Sequence, residues 1–282
     1  MRTIFNIPFI KTRVGIGDIL HIKAQLDAVK SKYKKIYIFP DDEVIRLYRN
    51  NDDNYRKFLD GLFKLLFAHS PYITHPNFVA RLLAVTEDPH TLRRAGVTPR
   101  VPNLAEELCD GSPNSMGSYV VVSSKVRGIK RNEYEQIKDI FFDLLKKISK
   151  NYPIVVIGER NIGSNAEYIY HGNDRIYPIY KDIISAISAD RLVDMTVPEL
   201  GFTSPDLTRF RQECTIQHNA KHVITIGSGG NVSIAMSVGN ILGYYGNSDM
   251  EVFFTHMLEN GSRDGVFLTT DIKSYFDKLA SI

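Results

Sequence analysis

Parallel β-strands cannot be joined by a tight turn, because each needs a crossover, usually a helix, to bring the chain back to the same end of the sheet. This chain meets that condition from its first residues. Residues 2 to 9 read as a short apolar strand, the run TRVGIGD turns the chain at Gly15 and Gly17, and residues 18 to 33 carry Ile19, Ile22, Leu26 and Val29 at helical spacing. The compact strand IYIF at 36 to 39 follows and is stopped by Pro40. Strand, glycine loop, helix, strand is a βαβ unit, which predicts a parallel sheet.

The rhythm restarts halfway along. Tyr55 to His69 reads as a strongly apolar helix, while His69 to Glu107 has scattered prolines and short apolar runs that support no element. GSPNSMGS at 111 to 118 has no hydrophobic period and reads as a linker. After it come YVVVS (119 to 123), a helix through Lys150, PIVVIG (153 to 158), a helix at 181 to 189 and the strand RLVDM (191 to 195). Ser204, Pro205 and Asp206 supply a cap, a first-turn proline and an early acid for the next helix. HVITI (222 to 226) leads into GSGGN and a helix from about Ser233, then ILGYY (241 to 245), and Thr270 caps an amphipathic helix to the C-terminus. The expectation is an α/β protein of two Rossmann-like parallel-sheet domains facing a central cleft. The N-terminal domain would cover 1–112 and the second 118–268, with a final helix over 269–282 packing back toward the first.

A chain of 282 residues has room for two such cores. Its 35 Lys and Arg against 32 Asp and Glu are interspersed, which argues against a dedicated nucleic-acid surface. The two cysteines, Cys109 and Cys214, make no disulfide framework and fit a reducing compartment. No window reaches the ~18 apolar residues of a membrane span, and MRTIFNIPFI lacks a signal core and cleavage site. The expectation is a cytoplasmic protein without a transmembrane segment. The eight histidines show no metal-ligand spacing, so no metal is expected.

Ligands of open parallel sheets bind outside the carboxyl ends of the strands, which makes three stretches candidates for one site. In TRVGIGDILH, Gly15 and Gly17 let the backbone turn and approach a ligand, Arg13 and His21 flank them, and Asp18 opens the helix. A helix cap alone would equally explain Asp18. The third glycine of a dinucleotide fingerprint would fall at Leu20, so that motif is absent. In IGSGGNVS, residues Gly227, Ser228, Gly229, Gly230 and Asn231 offer a backbone surface that wraps a phosphate or sugar hydroxyl, with a helix dipole behind it; a tight turn without ligand is the alternative, though three glycines in four residues exceed what such a turn requires. In SSKVRGIK, Ser124, Lys125, Arg127 and Lys130 end a strand where cations neutralise a diphosphate, or form a solvated basic loop. Glu159 ends VIGER in the same row and is a candidate partner for a sugar hydroxyl.

TRVGIGDILHIKAQLDAVKSKY is similar to the opening of the ADP-heptose lipopolysaccharide heptosyltransferases, with its strand, small-residue turn, GD pair and amphipathic helix. The second half resembles that family's nucleotide-sugar domain, through the basic loop, the VDM strand end and the glycine-rich loop before a helix. The resemblance implies a GT-B glycosyltransferase, inverting and metal-independent, with no cofactor beyond a nucleotide-sugar donor and with a glycan acceptor. It places Asp18 on the catalytic base, Lys130 near the lysine that faces the donor phosphates, and Ser228 and Gly229 on the donor loop. Met195 and Thr196 fall at the VDM end on the donor side. Gly227 stands where that loop carries Asp, the histidine after the loop is missing, and the chain has no tryptophan, so no particular sugar is implied. A polysaccharide pyruvyltransferase shares such an architecture and a GD loop, and a non-catalytic nucleotide- or glycan-binding module is the second alternative. An NAD-dependent dehydrogenase is a weaker third.

Overall fold

The computed structural model of the chain describes residues 3–4, 6–13, 15–43, 45, 53–161, 176–199, 206–227, 230–246 and 251–282. The first strand comes later than its apolar letters suggest. Asn6, at φ 60°, turns β1 (Thr3–Ile4) back on β2 (Ile7–Thr12) as an antiparallel pair. Then follow α1 (Ile16–Asp27), β3 (Ile36–Pro40), α2 (Asp53–Leu66), β4 (Tyr72–Ile73), α3 (Phe78–Leu83), β5 (Val85–Glu87) and α4 (Pro89–Arg94). β3 and β5 both pair in parallel with residues 10–12 of β2, one on each side, and β4 extends the sheet beyond β3. The stretch from 69 to 107 therefore holds several elements where the sequence reading found none. Each is too short to show a period, although Asp88 announces α4 by a capping box with Thr91.

After α5 (Ala105–Leu108), residues 111–118 run exposed without helix or strand. The second half contains β6 (Val120–Ser123), β7 (Lys125–Arg127), α6 (Arg131–Asn151), β8 (Ile154–Ile157), β9 (Glu159–Asn161), β10 (Ile176–Pro178), α7 (Tyr180–Ala186), β11 (Leu192–Asp194) and β12 (Val197–Glu199). It continues through α8 (Leu207–Asn219), β13 (His222–Ile226), α9 (Gly230–Val238), β14 (Ile241–Tyr244), α10 (Glu251–Glu259), β15 (Val266–Thr269) and α11 (Ile272–Ala280). Six of these strands form one parallel sheet in the order β11-β8-β6-β13-β14-β15. That is the doubly wound Rossmann order, and the chain reverses its direction of travel between β6 and β13. β7 pairs with β10 and β9 with β12 just beyond the carboxyl ends of this sheet.

Burial on both faces explains the unbroken apolar runs of these strands. Val120, Val122, Ile154, Val156, Ile224 and Leu242 face one core, while Val121, Val155, Val223 and Ile241 face another. Tyr275 and Leu279 place α11 on the first of these cores, with the Tyr275 hydroxyl donating to Thr225 O at 3.1 Å. The final helix thus covers the second sheet, against β14, β15 and α6, rather than packing back toward the first half, with its apolar stripe turned to that core. Its cap is Asp271, not Thr270, and α8 is capped by Asp206, whose carboxylate accepts from Thr208 N at 2.9 Å. Ser204 and Pro205 lie outside the described residues.

A third core joins the halves. Ile19, Leu20, Leu59 and Leu62 of the first half pack with Phe210, Cys214 and Val238 of the second, and the rings of Phe58 and Phe210 meet edge to face at 5.5 Å. Phe210→Ala should cost about 3–5 kcal/mol, the usual range for a buried Phe truncation. Because this core belongs to both halves, chemical denaturation of that variant, followed by probes in each half, should show one coincident transition at lower denaturant. Two separated transitions would contradict the shared core.

Candidate functional site

The carboxyl ends of the central strands of the second sheet converge at the reversal between β6 and β13. Ser123 and Ser124 end β6, Gly158 and Glu159 follow β8, and Gly227 follows β13. Asn231, in the first turn of α9, donates through Nδ2 to Ser123 Oγ at 2.8 Å and so ties the helix to the strand across the reversal. Ser123 was not singled out from the sequence. Its neighbour Ser124 was, but that residue is fully buried, with its hydroxyl donating to Glu159 O at 2.8 Å, which occupies it as a structural link. Gly158, at φ 98°, allows this approach, since a Cβ there would stand 2.8 Å from Ser124 Oγ.

Gly227 has a specific steric reason to be glycine. Its φ is 99°, it bridges in parallel to Arg127, and a Cβ would lie 2.2 Å from Arg127 O and 2.7 Å from Arg127 N. Its N–H donates to Tyr244 O at 2.6 Å. Gly227 therefore shapes the loop through its backbone. Gly230 opens α9, and Ser228 and Gly229 lie outside the described residues.

The cations are not equivalent. Lys125 pairs with Glu159, its Nζ 3.3 Å from Oε1 and 3.2 Å from Oε2, with both side chains largely buried. Glu159 is thus the partner of Lys125 in this structure, and the ammonium is already partly neutralised. Arg127 is half-buried on β7, and Lys130 is exposed at the N-cap of α6 without capping it through its side chain. Met195 and Thr196 lie toward the outer edge of the sheet. The Met195 N–H donates to Val156 O at 2.9 Å, and Thr196 is held by Asp194 and Arg160. The Asp194 carboxylate also accepts from Arg160 at 2.8 Å and from the Tyr180 hydroxyl at 2.7 Å. Burial opposes its charge, but these hydrogen bonds hold its carboxyl below the usual range. No spacing in the sequence announces this cluster, because its members come from three separate elements.

In the first half, β2 is flanked by β3 and β5, and α1 leaves its carboxyl end. Gly15 is the N-cap of α1, so Asp18 is the third helical residue rather than the cap. Its carboxylate leans back over the cap, and a Cβ on Gly15 would lie 3.1 Å from Asp18 Oδ2. A first-turn acid in that place favours the helix end electrostatically. Gly17 is half-buried within the same turn. Arg13 is exposed, its guanidinium 3.5 Å from Asp88 Oδ2 at the cap of α4.

His21 differs from the ligand-side position expected of it. It is 2 % exposed, its Nε2 lies 2.9 Å from Ser233 Oγ on α9, and its ring meets Phe253 edge to face at 5.0 Å. α1 and α9 pack along each other here, so the helices that leave the two reversal points share one seam. Burial, reinforced by nearby His90, pushes the His21 imidazole down to about 3.

Among the described residues, no group of three or more His, Cys, Asp and Glu is gathered as a metal would require, and no helix is long and apolar enough to cross a membrane.

Two measurements test this description. Gly227→Ala should lose about 1–3 kcal/mol from backbone strain alone, with the Arg127 overlap adding to it, read as a fall in denaturation midpoint. For His21 the folded imidazole stays neutral to about pH 3 while an ordinary one protonates near 6.5. Between those values the unfolded chain binds the extra proton. The contribution of His21 is therefore complete above about 6.5 and lost as pH falls toward 3, by up to ~1.4 kcal/mol per pH unit. His21→Leu should flatten that part of the stability–pH curve.

No protein-family model matches the sequence, and no curated protein matches it. Among solved structures the chain is similar to the dodecameric iron-containing heptosyltransferase TibC, solved in complex with ADP-D-beta-D-heptose, at 14% identity and a TM-score of 0.47. The match covers 86% of this chain and 58% of that one, so this chain spans less than two thirds of the length of that structure.

Proposed function

We propose that the chain is a glycosyltransferase of the GT-B kind. A nucleotide-sugar donor would lie across the β6–β13 reversal and a glycan acceptor on the side of α1. The observation that carries this reading is the seam itself: the helix bearing Asp18 packs on the helix that opens at the glycine loop of the second sheet. A candidate base and a candidate diphosphate cradle are thereby tied together through two rigid elements.

In the proposed reaction the acceptor hydroxyl oxygen attacks the anomeric carbon as its proton passes to the Asp18 carboxylate. The bond from that carbon to the donor diphosphate breaks, with inversion, and the leaving nucleoside diphosphate takes the bonding electrons. Its growing charge is met by the N-terminus of α9, by Arg127 and Lys130, and by Lys125 to the extent that Glu159 leaves its charge available. Asn231, fixed on Ser123, presents the first turn of α9 to the donor. Gly227 in place of an acid does not by itself favour a non-catalytic module, since the Arg127 backbone explains the glycine.

A thermal-shift panel of nucleotide sugars finds the donor, because a ligand at 100 times its dissociation constant adds about 2.7 kcal/mol of stability. Asp18→Asn then separates base from helix-end acid. The amide cannot take a proton, so transfer should fall about a hundred- to ten-thousand-fold. Losing the first-turn charge should cost at most about 1 kcal/mol of stability and leave donor binding unchanged. Near-normal turnover of that variant with its true donor and acceptor would remove Asp18 from the chemistry. Binding of nucleotide sugars without any transfer would favour the non-catalytic module.

A further inference from the structure

The seam between α1 and α9 contains a polar group that stability alone does not explain. His21 and Ser233 are 2 % and 3 % exposed, and around them stand Phe253 and Phe254, both fully buried. The His21 ring meets Phe253 at 5.0 Å and Phe254 at 6.2 Å, and His90 reaches the same Phe253 at 5.1 Å. One ring nitrogen is satisfied by Ser233 at 2.9 Å, whereas Nδ1 has no hydrogen-bond partner among the described residues. Leaving a buried polar atom unpaired costs free energy, and an aliphatic side chain in the same place would avoid that cost. What the imidazole supplies instead is direction. It is a planar group with one hydrogen bond to α9 and one edge against α10, so it links α1 to each of these helices by a directional contact.

Asp18 lies three residues before His21 on α1, and Gly230 three residues before Ser233 on α9. The His21–Ser233 contact thus sits one turn inside both proposed partners of the reaction. We infer that His21 is a positioning residue for the proposed glycosyl transfer: hydrogen-bonded to Ser233 and packed on Phe253, it helps set the height of Asp18 relative to the first turn of α9. The inference rests on the glycosyltransferase reading. It goes beyond that reading by assigning catalytic alignment to a side chain that touches neither donor nor acceptor. A misplacement of about 1 Å between reacting groups is enough to cost on the order of a hundredfold in rate.

The test compares the full-length chain with His21→Leu, His21→Gln and Ser233→Ala. For each, the dissociation constant of the free nucleoside diphosphate of the accepted donor, the donor KM, kcat and the melting temperature at pH 7.5 are measured. His21→Leu should keep diphosphate affinity and donor KM within about twofold while kcat falls about ten- to a hundredfold. His21→Gln, whose amide reaches the place of Nε2, should recover kcat to within about threefold of the parent. Ser233→Ala should lose kcat as His21→Leu does, and combining His21→Leu with Ser233→Ala should lose no more than either alone. Ser233→Ala removes only a hydroxyl, so it carries the test if His21→Leu does not fold. The inference is overturned if Ser233→Ala or His21→Leu retains kcat within twofold. It is equally overturned if their losses follow melting temperature and diphosphate affinity together and Gln restores nothing. If the parent chain transfers no sugar from any nucleotide sugar that stabilises it, the glycosyltransferase reading fails and the positioning role with it. That result differs from the others in that Asp18→Asn has no rate to lose.

Discussion

The structure depends on a core that belongs to neither sheet alone. Leu207 of α8 packs into the space left by Gly61 on α2, where a Cβ would stand 2.7 Å from Leu207 Cδ2. Phe210 and Cys214 follow one and two turns later, and Val238 arrives from the end of α9. The chain on the N-terminal side of the exposed coil takes part as well. Leu104 N–H donates to Ser237 O at 2.7 Å, and Arg211 donates to Cys109 O at 2.6 Å. Arg263 donates to Met236 O and Gly239 O, both at 2.6 Å, which closes the C-terminal end of α9. An apolar contact of this kind resists shear and hinging, because interiors are packed close to crystal density and a small displacement forfeits many contacts at once. The relative placement of the two reversal points is therefore set by packing rather than by the coil at 111–118.

On α1 the same helix serves two environments. Ile19, Ile22 and Leu26 face the shared core, while Lys23 is buried on another side among Asp27, Phe67 and Tyr72. Burial works against the Asp27 charge, but hydrogen bonds from Lys23, Tyr72 and Lys30 outweigh it and hold the carboxyl below its ordinary range. Gln25 donates to Pro89 O and Val97 O at 3.1 and 3.2 Å, joining α1 to the segment after β5. These contacts hold the body of α1, and the His21–Ser233 hydrogen bond adds a link to α9 one turn from Asp18.

Much of the architecture was legible in the letters, for a physical reason. Strands buried on both faces need unbroken β-branched runs, so VVV, IVVI and HVITI identified themselves, and long amphipathic helices such as α6 showed their period. Elements of two to six residues between β4 and α5 did not, because a period needs more length than they have. At the candidate site the residue types were readable but their commitments were not. Ser124 and Glu159 looked like ligand contacts, yet one is bonded to a neighbouring carbonyl and the other is matched with Lys125. Both commitments arise between strands that are distant in sequence. His21 looked like part of an anion loop because it sits near Gly15 and Gly17, but helical geometry turns it toward α9. Asp41 and Asp42 accept from Thr86 and from Arg56 and Arg81 respectively, again across segments distant in sequence.

The approach of the β7 backbone to Gly227 has an evolutionary corollary. A Cβ at 227 collides with main-chain atoms of Arg127, and main chain, unlike a flexible side-chain tip, cannot step aside without breaking the pairing of β7 with β10. Every single replacement at 227 meets the same obstacle, whatever its chemistry. An acid could be installed there only after the segment 125–127 had been re-routed, and that re-routing would itself disturb Lys125 and Arg127. The position is mutationally isolated: every sequence that differs by one substitution at 227 gives up stability to the same strain and overlap, whatever its new side chain could contribute. Variation at this rim must accordingly enter through its other positions.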